Sequence, residues 1–146
     1  MISPKGISLI VQFESLKTRA YPDPKSGGEP WTIGCGHTDG VKPGDVCTDE
    51  EALDWLREDC ADAELCIEAH IEVPLNQNQR DALISFVYNL GCEKVKNSTL
   101  FHLINSGQYA AAAQQFLRWV SPGSAVEKGL LRRRTAEMKL FMELEA

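Results

Sequence analysis

YPDPKSGGEPWTIGCGHTDGVKPGDVCTDEE, residues 21–51, changes character near its end, and that change sets the fold. Up to Cys47 the stretch holds Gly27, Gly28, Gly34, Gly36, Gly40 and Gly44 together with Pro22, Pro24, Pro30 and Pro43. A helix does not tolerate breakers at that density, so short strands and turns must dominate, with Trp31, Thr32 and Ile33 the best strand fragment. At Thr48 the sequence T-D-E-E has the spacing of a capping box, in which the Thr48 hydroxyl accepts from the Glu51 amide while Glu51 reaches back. A long helix begins there. Leu53, Leu56, Cys60, Ala63 and Ile67 follow at spacings of 3, 4, 3 and 4, an apolar stripe on an acidic surface.

Outward from this stretch the rest of the chain reads as helix. On the N-terminal side, Ile7, Ile10, Val11 and Phe13 suit a short amphipathic helix with Ser3 as N-cap and Pro4 at its first position, ending close to Glu14. On the C-terminal side, Pro74 and Asn76 punctuate the long helix. A second helix carries Leu83, Phe86, Val87 and Leu90 and is closed by Gly91; a short third carries Leu100, Leu103 and Ile104; a fourth carries Ala112, Ala113, Phe116, Leu117 and Val120. A fifth runs from about Lys128 with Leu131, Met138, Phe141 and Met142. The expected class is α+β: a small lobe of N-terminal helix and glycine-rich β structure over about 1–47, a mainly helical lobe over about 48–146, and a ligand cleft between them.

Composition narrows the function classes. At 146 residues the chain is one domain, residues 1–146, and too short for two separate cores. No segment approaches the roughly 18 consecutive apolar residues of a membrane span, so stable membrane insertion is not expected. With 15 Lys+Arg against 21 Asp+Glu the net charge is −6, which offers no electrostatic footprint for a phosphate backbone and argues against a nucleic-acid partner. The N-terminal apolar run, Ile7 to Val11, is interrupted by Ser8 and no small-residue cleavage site follows it, unlike a secretory signal. Cys35, Cys47, Cys60, Cys66 and Cys92 are odd in number and irregularly spaced, which favours synthesis in a reducing cytoplasm. At least one thiol stays unpaired in a monomer, and the spacing leaves open which of the others pair.

The chemistry concentrates in the first third, where Glu14 closes a helix, Asp23 lies nine residues on between two prolines, and Thr32 opens T-I-G-C-G-H. Glycosidic cleavage needs one carboxyl group kept protonated to donate to the leaving oxygen and another kept ionised to activate water or stabilise positive charge. A helix end against an apolar wall and a wet turn supply that contrast. Spacing alone does not single out this pair among 21 acidic residues, most of which are solvated surface.

The order of motifs adds what spacing lacks. Glu14, eight residues, Asp23, and then Thr32 heading T-I-G-C-G-H resembles the signature of phage endolysins of the lysozyme type, glycoside hydrolase family 24. The resemblance continues through P-L-N-Q-N-Q-x-D-A-L-x-S-F-x-x-N-x-G over 74–91, N-S-T-L over 97–100 and G-L-L-R-R-R-x-x-E-x-x-L-F over 129–141. It spans nearly the whole chain in the right order and lies closer to the temperate-phage branch than to virulent-phage lysozyme, whose turn between the Asp and Thr positions is shorter. It implies a lysozyme-like fold that hydrolyses the β-1,4 bond between N-acetylmuramic acid and N-acetylglucosamine with inversion. Glu14 would be the acid, Asp23 would orient or activate water, and Thr32 would hold that water. The resemblance further implies sugar contacts at Thr38, Tyr88, Asn89 and Thr99, although Tyr88 reads equally as a half-buried aromatic.

Other residues have plainer readings. His37 with Cys35 and Cys47 lacks a fourth ligand at a familiar spacing, so no metal and no cofactor are expected. The resemblance instead implies a structural ion pair between His37 and Asp59. Cys60 sits on the apolar stripe, where an inert buried thiol is the default. Arg132, Arg133 and Arg134 form a basic run of which one arginine, Arg134 slightly ahead of Arg133, is expected to reach Glu14 while the others stay exposed. The resulting picture is a monomeric enzyme made in the host cytoplasm, acting on periplasmic peptidoglycan after a separate membrane-permeabilising protein releases it. The rival readings are a lytic transglycosylase, which the pairing of Asp23 with Thr32 disfavours, and a murein-binding protein of the same fold without turnover.

Overall fold

The computed structural model describes residues 1–24 and 26–143. Helix α1 spans Pro4–Glu14, begins at Ser3, whose hydroxyl accepts from the Gly6 amide, and buries Ile7, Leu9 and Ile10. Gly6 is required by close approach: a Cβ there would sit 2.7 Å from Ile2 and 2.8 Å from the Asp81 carboxyl carbon. The fully buried Asp81 uses that proximity to accept from the Ser3 amide at 3.0 Å and from its hydroxyl. The helix start is thereby anchored to the middle of the chain, and α1 packs with the helical lobe even though it precedes the β lobe.

Strands β1 (Lys17–Tyr21) and β2 (Thr32–Gly34) pair antiparallel, Lys17 opposite Gly34 and Tyr21 opposite Thr32. Five residues therefore face three, and the excess is taken up as an irregularity within β1. The outer side of β1 is covered by the return of the chain before Thr48, with Ala20 donating to Asp45 and Thr18 accepting from Cys47. Ile33 and His37 exchange two backbone hydrogen bonds of 2.9 Å. The segment T-I-G-C-G-H is thus a tight hairpin and not a continuous strand.

Helix α2, Asp49–His70, starts with the capping box expected at Thr48: Glu51 N donates to Thr48 Oγ1 at 3.1 Å and Thr48 N to Glu51 Oε1 at 3.0 Å. Its buried face is Ala52, Leu56, Cys60, Ala63, Cys66 and Ile67, so Ala52 takes the place expected for Leu53, which is only half-buried. Helix α3, Gln77–Leu90, opens with a second capping box, Asn76 with Gln79, and buries eight of its fourteen residues. It is the central helix, flanked by α1, α2 and α7. Helices α4 (Cys92–Val95), α5 (Thr99–Asn105) and α6 (Tyr109–Gln115), a 3-10 turn over Phe116–Arg118, and α7 (Glu127–Met142) complete the lobe. Edge-on contacts of Phe86 with Phe116 and Trp119, and a tilted contact of Phe116 with Phe141, weld this turn to α3 and α7.

A disulfide joins Cys66 to Cys92, while Cys35, Cys47 and Cys60 are free thiols. Among the described residues no helix is long and apolar enough to cross a membrane.

Candidate active site

Glu14 is the last residue of α1, and the backbone turns sharply after it, Ser15 taking a φ of 60°. Its side chain is 23% exposed, and Oε2 accepts from Arg133 Nη1 at 2.5 Å. The second oxygen, Oε1, faces the hairpin. It lies 3.8 Å from where a Gly36 Cβ would project, and the Tyr88 hydroxyl lies 3.6 Å from the same point. Gly36, at φ +90°, holds a conformation that strains any other residue, while a Cβ there would make only ordinary contact with the carboxylate and the Tyr88 hydroxyl.

The cation that reaches Glu14 belongs to Arg133, which corrects the expectation for Arg134. Both arginines are buried, also against expectation, and of the three only Arg132 is exposed. The cause is Glu137, itself fully buried on α7: at i+4 it accepts from Arg133 Nε at 3.2 Å, and at i+3 from Arg134 Nη1 at 2.6 Å. Ser85 of α3 donates its hydroxyl to Glu137 at 2.5 Å, and its carbonyl accepts from Arg133 Nη2 at 3.2 Å. Arg134 spends its charge on Glu137, on the Asn89 side-chain oxygen and on the Phe86 ring 5.1 Å away, and its Nε has no hydrogen-bond partner. Burial pushes the Glu137 carboxyl up, opposed by the two guanidiniums and the Ser85 hydroxyl, and burial pulls the Arg134 guanidinium down.

The charge on Glu14 is felt by its neighbours. Burial raises the Tyr88, Tyr21 and Cys35 pKa values, and the nearby carboxylate raises each further, so all three stay neutral donors. The Tyr88 hydroxyl donates to the Cys35 carbonyl at 2.8 Å, tying α3 to the hairpin. A groove of about 1120 Å³ opens beside Glu14 between the end of α1, Asn89 and the exposed side of α7, including Lys128 and Arg132.

The other expected residues have surroundings of their own. Asp23 sits in the turn after β1, where its carboxylate accepts from the Ser26 amide at 3.1 Å and its backbone bonds to Gly27 and Gly28. Thr32 faces Tyr21 across the sheet, with its hydroxyl near the Pro30 carbonyl at 3.4 Å. Thr38 is exposed in a hollow with Trp31 and Val41, and Thr99 is exposed at the first position of α5. His37 pairs through Nδ1 with Asp59 at 2.8 Å and stacks on Trp55, ring centres 4.7 Å apart. Glu137, Ser85 and Trp55 were not singled out by sequence. Glu137 had a signal, since it stands three and four residues after the two arginines.

The family model for phage lysozyme matches residues 11–137. The endolysin of Acyrthosiphon pisum secondary endosymbiont phage 1 is 40% identical over 96% of this chain and 97% of its own length. The chain spans only 55% of the endolysin of Bacillus phage B103, to which it is also 40% identical. Among solved structures, the muramidase domain of SpmX from Asticaccaulis excentricus superposes with a TM-score of 0.90 at 36% identity, covering 99% of both chains. A P22 lysozyme variant superposes with a TM-score of 0.89 at 37% identity, covering 98% of this chain and 99% of that one.

Proposed function

The chain belongs to the phage lysozyme family, and on that premise we propose that Glu14 is the general acid with which it cleaves peptidoglycan. It is an endolysin of the lysozyme type, a glycoside hydrolase acting in host lysis. The observation that carries the assignment of Glu14 is its asymmetric setting: one oxygen is held by Arg133, and the other faces Gly36 beside the Tyr88 hydroxyl. An acid so fixed has its donating oxygen oriented before substrate arrives.

Asp23 activates the water and Thr32 holds it, both on the β lobe, so that attack comes from the face opposite the leaving group and inverts the sugar carbon. Thr38, Asn89 and Thr99 contact sugar, Asn89 through its amide nitrogen because its oxygen is engaged by Arg134. Tyr88 contributes ring surface, its hydroxyl being committed to Cys35. His37, Asp59, Arg133 and Arg134 support this site. Residues 1–146 act as one monomeric domain, synthesised in the cytoplasm and released to the periplasmic wall by a separate permeabilising protein. No cofactor enters the reaction.

Glu14→Gln keeps the shape of the side chain and removes the proton. It is expected to abolish clearing of outer-membrane-permeabilised Gram-negative cells while the circular dichroism melt is unchanged. Retained lysis would overturn the assignment. Mass spectrometry of the wild-type products is expected to give reducing muramic ends; anhydro sugars would establish the transglycosylase reading in its place.

A further inference from the structure

The last turns of α2 and the first residue of α4 bring together Cys66, His70 and Cys92. Cys66 and His70 are four apart on one face of α2, and Cys92 follows the Gly91 turn directly. The two sulfurs and a ring nitrogen of His70 all lie within 4.8 Å of one another, and the cysteine Cα atoms are 5.8 Å apart. We propose that when the Cys66–Cys92 disulfide is reduced, these three side chains form a binding site for one zinc ion.

The donor set and its spacing both fit. Two thiolates and one imidazole are the soft and borderline ligands that Zn²⁺ selects over the oxygen-loving divalent ions. Tetrahedral bond lengths of ~2.3 Å to sulfur and ~2.0 Å to nitrogen require donors roughly 3.5–3.8 Å apart. Parting the two sulfurs to that distance needs only side-chain rotation. Cys66 is buried while Cys92 and His70 are half-buried, so the site is walled on one side and wet on the other. The half-exposed faces of Cys92 and His70 let water serve as fourth ligand. None of the three residues lines the groove at Glu14.

The exchange balances. A dithiol reductant passes two electrons and two protons to the disulfide and is itself oxidised to a disulfide, leaving two protein thiols. Zinc then displaces those two protons. Loss of the ion and exchange with a disulfide oxidant returns the bond, the electrons reducing the oxidant to its dithiol. The same pair of cysteines thus cross-links α2 to α4 in both redox states, through the metal under reducing conditions and directly under oxidising ones. This inference does not depend on the assignment of the catalytic residues.

The test uses the full chain carrying Cys47→Ser, which removes the one free thiol that is not buried. After reduction and anaerobic removal of the reductant, Co²⁺ serves as the spectroscopic probe, and Zn²⁺ is titrated against a chromophoric chelator. One equivalent of Co²⁺ is expected, with a sulfur-to-metal charge-transfer band and the strong visible absorption of a tetrahedral site, displaced by one equivalent of Zn²⁺. The oxidised protein should bind neither ion. His70→Ala should weaken zinc binding at least ~10-fold, and Cys92→Ser should abolish the charge-transfer band, with circular dichroism reporting that each variant is folded. Absence of a stoichiometric site in the reduced protein, equal binding by the oxidised protein, or indifference to both substitutions would each overturn the proposal.

Discussion

Arg133 and Arg134 differ by one position and perform different work. Successive residues on a helix point about 100° apart, so the rotation of α7 against α3 decides which guanidinium meets Glu14. Nothing in the local sequence R-R-R fixes that rotation, and this is why the pairing with Glu14 was legible while the partner was not. Ser85 of α3, which donates to Glu137 and accepts from Arg133, is what fixes it. Arg133→Ala is expected to reduce kcat about 100-fold by releasing the Glu14 carboxylate, with a small change in KM. Either substitution leaves Glu137 half-neutralised in the interior and is expected to lower stability by roughly 3 kcal/mol or more, read by chemical denaturation, whereas Arg134→Ala, which removes no contact with Glu14, is expected to spare kcat. Equal kinetic effects from the two substitutions would show that the network does not distinguish them.

Among the elements, those with strong local signals were legible: α1 with its Ser3 cap, α2 with its capping box, and the run of helices that follows. The four residues of α4 carry no periodicity and escaped notice, and Asn76 reads as punctuation until Gln79 is seen to return its hydrogen bond. The hairpin at T-I-G-C-G-H looks like strand in sequence because β propensity cannot reveal that Gly34 and Gly36 fold the chain back within four residues. Its outer end is held by His37, which stacks on Trp55 and bonds Asp59, both on α2. The contact between His37 and Asp59 is partly exposed and contributes little alone, ~0–1 kcal/mol, to which stacking adds about as much. His37→Asn and Trp55→Leu are each expected to cost about 1–2 kcal/mol, and the double variant less than their sum. Simple additivity in a double-mutant cycle would mean that the ring stacking and the contact with Asp59 do not act as one clamp.

Seen whole, the molecule is cross-connected at widely separated points: the hairpin on α2, the start of α1 on Asp81, the disulfide between α2 and α4, and α7 on the end of α1. The division into lobes was readable from breaker density, but the attachment of α1 to the helical lobe was not, because it rests on the absence of a side chain at Gly6. The odd cysteine count announced an unpaired thiol, and burial now separates the three that remain. Cys60 is fully buried and its thiol is pushed up to about 12, and burial also raises Cys35 and, less enclosed, Cys47. Titration of the native oxidised protein with a thiol reagent at mildly alkaline pH is expected to give one fast equivalent, Cys47, with the other two appearing only on unfolding.

The ion pair between Glu14 and Arg133 joins residues 119 positions apart. During synthesis the N-terminal part of a domain emerges first, and the acid therefore leaves the ribosome long before its counterion exists. A chain interrupted between Thr32 and α7 carries Glu14, Asp23 and Thr32 yet lacks Arg133, Glu137 and the α7 wall of the groove. Fragments of that kind are expected to show no lytic activity on permeabilised cells, since cleavage would wait for a chain that includes α7.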